Sequence, residues 1–209
     1  MNTDTQPTWI AFADTKRIAF GRPRDVARTV KSFIDSESQD SILIFDAVTS
    51  HPVELDFRGS MSVVLDRLLA IAPPEEGQAP YPPLNVRRSA GRPKLGVTAR
   101  EVTLLPRHWD WLASQPSGAS VALRKLVEHA MRANKEDDRV RQAREAAYRF
   151  MHAMAGNEPG FEEATRALFA GDYDRLSQTV ASWSTDVREH AIDLAKASVV
   201  GKQELEHAP

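Results

Sequence analysis

The order of apolar and polar positions divides the chain into a mixed front part and a helical rear part. Thr8–Ala13 and Arg17–Gly21 are short apolar-aromatic runs around Asp14-Thr15-Lys16, and together they predict a β-hairpin. Pro23 suits the first turn of a helix and Asp25 suits its positive end, with Val26, Val30, Phe33 and Ile34 recurring at helical spacing. Ser41–Val48 is a continuous apolar run, as in a central strand. Val53, Leu55 and Phe57 alternate with Glu54 and Asp56, which predicts a half-exposed strand. Ser60 suits the cap of a helix carrying Met61, Val64, Leu65, Leu68 and Leu69. The predicted order is β-β-α-β-β-α, an α+β module over residues 1–72.

Residues 73–96 interrupt both periods. Ala72–Leu84 is rich in Pro, with Gly and acid, and admits neither a helix interior nor a central strand. It reads as an extended linker, or as a Pro-rich ligand for a partner domain. Val97–Leu105 then predicts a strand. Pro106 opens a helix with Trp109, Leu112 and Ala113 on one face, Gln115–Gly118 breaks it, and Ser117 or Ser120 starts a second helix with Val121, Leu123, Leu126, Val127 and Ala130. From Lys135 to about residue 200 the pattern is helical throughout. It consists of one long helix (Val140, Ala143, Ala147, Phe150, Met151, Met154) and three shorter ones over Phe161–Ala170, Tyr173–Trp183 and Asp186–Val199. Residues 201–209 form a tail. Phe150, Phe161, Phe169, Tyr173 and Trp183 are the expected core of this C-terminal bundle.

Charge changes the picture only once its distribution is known. The 27 Lys and Arg nearly cancel the 29 Asp and Glu, for a net −2. By window the balance is −2 over residues 1–72, +4 over 73–136 and −4 over 137–209. Within the middle window, Leu84–Arg107 carries Arg87, Arg88, Arg92, Lys94, Arg100 and Arg107 against Glu101 alone. Such a local block attracts phosphates whatever the average.

Enzyme chemistry is poorly represented. With no Cys there is no disulfide, thiolate nucleophile or iron–sulfur ligand. No Gly-rich phosphate loop, nucleophile elbow or His-Glu-x-x-His pattern occurs. Asp186, His190 and Asp193 lie at helical spacing, as do Tyr148 and His152, and both sets read as exposed polar helix faces rather than metal sites. The expectation is a protein that is not an enzyme, with no cofactor and no metal. The start Met1–Pro7 is polar and no apolar run approaches the roughly 20 residues of a membrane span, so a cytoplasmic location without membrane contact is expected.

Three resemblances sharpen this. Leu105-Pro106, Trp109, Leu112, Gly118-x-Ser120, Leu123, Leu126, Val127 and Ala130 resemble the ribbon-helix-helix family of DNA-binding proteins. That resemblance implies a homodimer whose two strands pair antiparallel in the major groove. Arg100, Val102 and Leu104 would then face DNA and Glu101, Thr103 and Leu105 the core. The apolar residues here fall mostly on the first set, so the register reads as flipped, with Thr103 turned to the DNA. The second helix's N-terminus near Ser120 offers free N–H groups for a phosphate in either register. Gly91-Arg92-Pro93-Lys94 resembles the core of an AT-hook, an arm that follows the minor groove. Gly21-Arg22-Pro23-Arg24 repeats that tetrapeptide type and reads as a helix start. Finally Trp9-Ile10-Ala11-Phe12, the stretch 91–128 and the run Phe161–Asp172 resemble a bacterial family of unknown function, the DUF2239-like proteins, over nearly the full length.

The expectation is therefore a dimeric DNA-binding regulator. Arg87, Arg88, Arg92 and Lys94 would neutralise phosphates, and Arg100, Thr103, Arg107 and Ser120 would lie at the ribbon and helix end. The alternative is a protein-interaction or small-ligand module without a nucleic-acid role.

Overall fold

The computed structural model describes residues 8–36, 39–71 and 100–198. Among them are three strands and eight α-helices, a mixed α+β architecture. The chain separates into two compact units, one from residues 1–74 with 136–209 and one from residues 75–135.

The larger unit is built on β1 (Trp9–Ala13), β2 (Lys16–Gly21) and β3 (Ile42–Asp46), an antiparallel sheet in the order β2-β1-β3. The hairpin is as expected. Asp14 takes a left-handed φ of 49° in its turn, which Asp tolerates, and accepts a hydrogen bond from the Ser41 amide (3.0 Å). A bulge opposite Ala11/Phe12 follows from Ala11 pairing with Ala19 while Phe12 pairs with Arg17.

β1 is buried at all five positions because both faces of the sheet are covered. Trp9 and Ala11 face α1 (Pro23–Asp35) and α2 (Met61–Ile71), packing with Val26, Ala27, Val30, Ile44 and Leu68. Ile10 and Phe12 face the other way. With Phe45 they enter a larger core made by α5 (Lys135–Ala155), α6 (Phe161–Ala170), α7 (Tyr173–Thr179) and α8 (Thr185–Lys196). The two helical layers thus share one sheet, and Phe150 is the hinge of the packing, 5.4 Å from Phe12 and 5.6 Å edge-on from Phe45 between ring centroids.

Several expectations are corrected. Val53, Leu55 and Phe57 are partly buried and pack on the α1–α2 side, but Asp56 between them is partly buried too and the segment forms no strand. The ladder continues only through the bridge Phe45–Pro52, flanked by bonds from the Asp46 amide to the His51 carbonyl (2.9 Å) and from the Val53 amide to the Ile44 carbonyl (2.8 Å). Pro52 lacks an N–H, and Asp56 is drawn into a cluster with Arg58 and Arg67 instead. The order is therefore β-β-α-β-α. Leu69 and Ile34 lie exposed rather than in the core. Tyr173–Trp183 is not one helix: α7 ends at Thr179 and a 3-10 turn spans Val180–Ser182, with Trp183 Nε1 donating to the Pro159 carbonyl (3.0 Å).

Local chemistry sets the helix ends. Pro23 occupies the first turn of α1. Gly171 ends α6 at φ 75°, a conformation that favours glycine, and Asp172 caps α7 by accepting from the Arg175 amide (3.0 Å).

Candidate nucleic-acid interface

The described part of the smaller unit begins with residues 100–105. They lie outside the sheet, and no strand is present there. The expected strand 97–105 is thus an unpaired segment over its described residues, while 97–99 lie outside them. Leu105 is extended (φ −66°, ψ 150°), as the residue before a proline must be, and Pro106 opens α3 (Pro106–Ala113). The Ser114 hydroxyl and the Gln115 amide group both donate to the Trp111 carbonyl (2.7 and 3.2 Å), closing that helix.

Gly118 then turns the chain at φ 74° and ψ 161°, its amide bonded to the Gln115 carbonyl (3.0 Å), and α4 runs over Ala119–Ala133. Gly118 rather than Ser117 or Ser120 is therefore the N-cap. A glycine cap provides no side-chain acceptor, so the first amides of α4 face outward with the positive end of the helix dipole. Ser120 lies exposed beside them.

This helical pair buries little of its own apolar surface. Leu112 and Ala122 are buried, and Leu104 is half-buried. Trp109 (41%), Leu126 (47%) and Met131 (63%) are substantially exposed, and so are Leu105, Trp111 and Val127. Leu123, Leu126, Val127 and Met131 form one stripe of α4, and Arg124, Lys125, Glu128 and Arg132 form the opposite one. Glu128 and Arg132 approach only to 3.6 Å and both are exposed, so that pair holds little of the positive charge back.

Arg100 and Thr103 lie exposed in the extended segment, and Arg107 lies exposed in the first turn of α3. Leu104 is the more sheltered of the two leucines, while Val102, on the same set of the expected strand, is exposed. Arg87, Arg88, Arg92 and Lys94 lie outside the described residues.

A model of a protein family conserved in bacteria and described as uncharacterised, DUF2239, matches residues 8–195. The chain belongs to this family. No curated protein and no solved structure matches it. The match spans residues of both units of this DUF2239 protein.

Outside the helical pair, the strongly perturbed groups of this DUF2239 protein serve structure. Arg58 donates to Asp56 through both side chain and backbone and holds its carboxyl down to about 2. His190, expected on an exposed helix face, is buried in α8 against Phe150, its ring 4.6 Å away and edge-on, and burial pushes it down to about 4. Phe169, expected in the core, is half-exposed beside Tyr148. Among the described residues no group of three His, Asp or Glu side chains converges to hold a metal, and no helix is long and apolar enough to cross a membrane.

Sequence reasoning missed Arg124, Lys125 and Arg132. Their spacing of one, seven and eight residues on a helix that also carries an apolar stripe was the available signal.

Proposed function

We propose that this protein binds duplex DNA as a homodimer and acts as a regulator of transcription. The observation that carries the reading is the helical pair with its apolar stripe open and its basic stripe on the opposite side of α4. Among the described residues of this unit only Leu112 and Ala122 are buried apolar side chains, little for the core a stable fold needs. A second copy supplies it: Leu126, Val127 and Met131 cover their counterparts, and the extended residues 100–105 gain a strand partner across the two-fold axis. Covering that stripe leaves Arg124, Lys125 and Arg132 outward, while the free amides near Ser120 and the basic arm at Arg87, Arg88, Arg92 and Lys94 reach phosphates.

Fluorescence anisotropy of a labelled duplex, titrated at several salt concentrations, tests this. Binding should weaken steeply with salt, and Arg92→Ala/Lys94→Ala should lower the slope of log K against log salt by about two. Failure of the wild-type protein to bind any duplex at low salt would sink the proposal. Sedimentation provides the second arm: Leu126→Glu/Met131→Glu should convert dimer to monomer and abolish binding together, and a wild-type monomer would overturn the dimeric form of the reading.

A further inference from the structure

We infer that the face formed by α5 and the end of α6 binds a planar aromatic anion, its ring on Tyr148 and Phe169 and its carboxylate or phosphate on Arg144. This site belongs to the larger unit and does not rest on the DNA reading.

The argument begins with charge compensation. The arginines around Arg144 are provided for: Arg139 pairs with Glu136 (2.7 Å), Arg141 with Asp138 (2.9 Å) and Glu145 (3.1 Å), and Arg166 and Arg175 with Glu163. Arg149 donates to the Thr49 carbonyl. Arg144 alone among these has no carboxylate and no hydrogen-bond acceptor within the described residues, and its Nε is sealed from solvent without a partner. Glu145 on α5 and Glu163 on α6 are already held by other arginines. A half-buried guanidinium without a counter-charge is costly, and with Nε closed to solvent an outside oxygen can meet it only through its Nη groups.

Its place is specified by the fold. Arg144 and Tyr148 are one turn apart on α5 and so share a face. That face meets α6 along its length: Tyr148 lies 5.8 Å from Phe169 near its end and 6.4 Å from Phe161 at its start, between ring centroids. The guanidinium lies over Gly171, where a Cβ would stand 2.7 Å from Arg144 Nη2. Glycine is favoured there by its φ of 75°, and a Cβ would displace the end of the Arg144 side chain.

Beside this cation are open rings. Tyr148 is 37% and Phe169 48% exposed, although the sequence pattern assigns Phe169 to the core. A guanidinium with free donors takes carboxylate or phosphate in a two-point contact, and exposed aromatic faces take a flat ring. Arg144 shares its helix face with Tyr148, and the Gly171 beneath its Nη2 follows Phe169 by two residues, so one ligand carrying both features suits this face. An aromatic carboxylate and a nucleotide share this chemistry.

Isothermal titration of the full chain with benzoate and with adenosine 5′-monophosphate separates the two sources, with benzamide and adenosine as uncharged controls. Saturable one-to-one binding of at least one anion, with the matching control at least about tenfold weaker, is expected. Binding of benzoate alone points to carboxylates, and binding of the nucleotide alone points to phosphates. Arg144→Gln should weaken the binding anion by about tenfold or more, and Phe169→Ala, at an exposed position, should weaken it several-fold, each variant keeping the wild-type circular dichroism and melting profile. If neither anion saturates below about 10 mM, or if a folded Arg144→Gln protein binds as tightly as wild type, the inference is wrong.

Discussion

His190 makes the stability of this protein depend on pH in a defined window. The ring sits on α8 with 7% of its surface exposed, edge-on to Phe150 and 6.1 Å from Phe12, and Nε2 has no hydrogen-bond partner. Burial disfavours the charged imidazolium first of all. Asp193 on the same helix favours it, and Arg17 on β2 opposes it. The balance lowers the group from its ordinary 6.5 to about 4. A lowered histidine is neutral in the folded state, so its contribution is complete above the unfolded value. That contribution is lost as pH falls from 6.5 toward 4, because the unfolded chain takes up a proton that the folded one refuses. At about 1.4 kcal/mol per pKa unit the full loss is about 3 kcal/mol, of which about 2 kcal/mol falls between about pH 7.5 and pH 5.

Urea unfolding followed by circular dichroism at several pH values measures it. The wild-type protein should lose that increment on acidification, and His190→Leu, of similar volume and without a titrating ring, should lose markedly less. Parallel curves for the two proteins across the window would refute the argument, whatever their absolute stabilities.

Three further outcomes follow from the packing. Phe150→Ala removes the ring shared by Phe12, Phe45 and His190 and should cost about 3–5 kcal/mol in chemical denaturation. Ser50 is fully buried with φ 54° and an unpartnered hydroxyl, so Ser50→Gly should raise stability by about 1 kcal/mol in the same measurement; a loss would contradict the strain argument. Asp172→Ala deletes the side-chain cap of α7 and should cost about 1 kcal/mol, recovered largely by Asp172→Ser.

Most element positions were legible because they depend on local chemistry. Pro23 and Pro106 begin helices where the sequence places them, and Gly118 and Gly171 turn the chain. Of the candidate interface, the Leu-Pro start, the glycine break and the amphipathic second helix were readable in the same way. The open state of its apolar stripe was not, since Leu123, Leu126 and Val127 give the same pattern whether their face is covered within the chain or by another molecule. Arg144 was also invisible, because a missing counter-ion is a property of neighbours brought together from α5 and α6.

The sequence by itself determined the family, the α+β class and the period of each amphipathic element, because periodicity and turn residues act over a few positions. Tertiary structure alone decided what each face meets. It set β1 between two helical layers, so that Ile10 and Phe12 join residues more than a hundred positions away. It ended the ladder at Pro52, drew His190 inward and left Phe169 outside. Period states which residues share a face; only packing of distant segments states whether that face is buried, and the energies of burial, desolvation and charge pairing all depend on that answer.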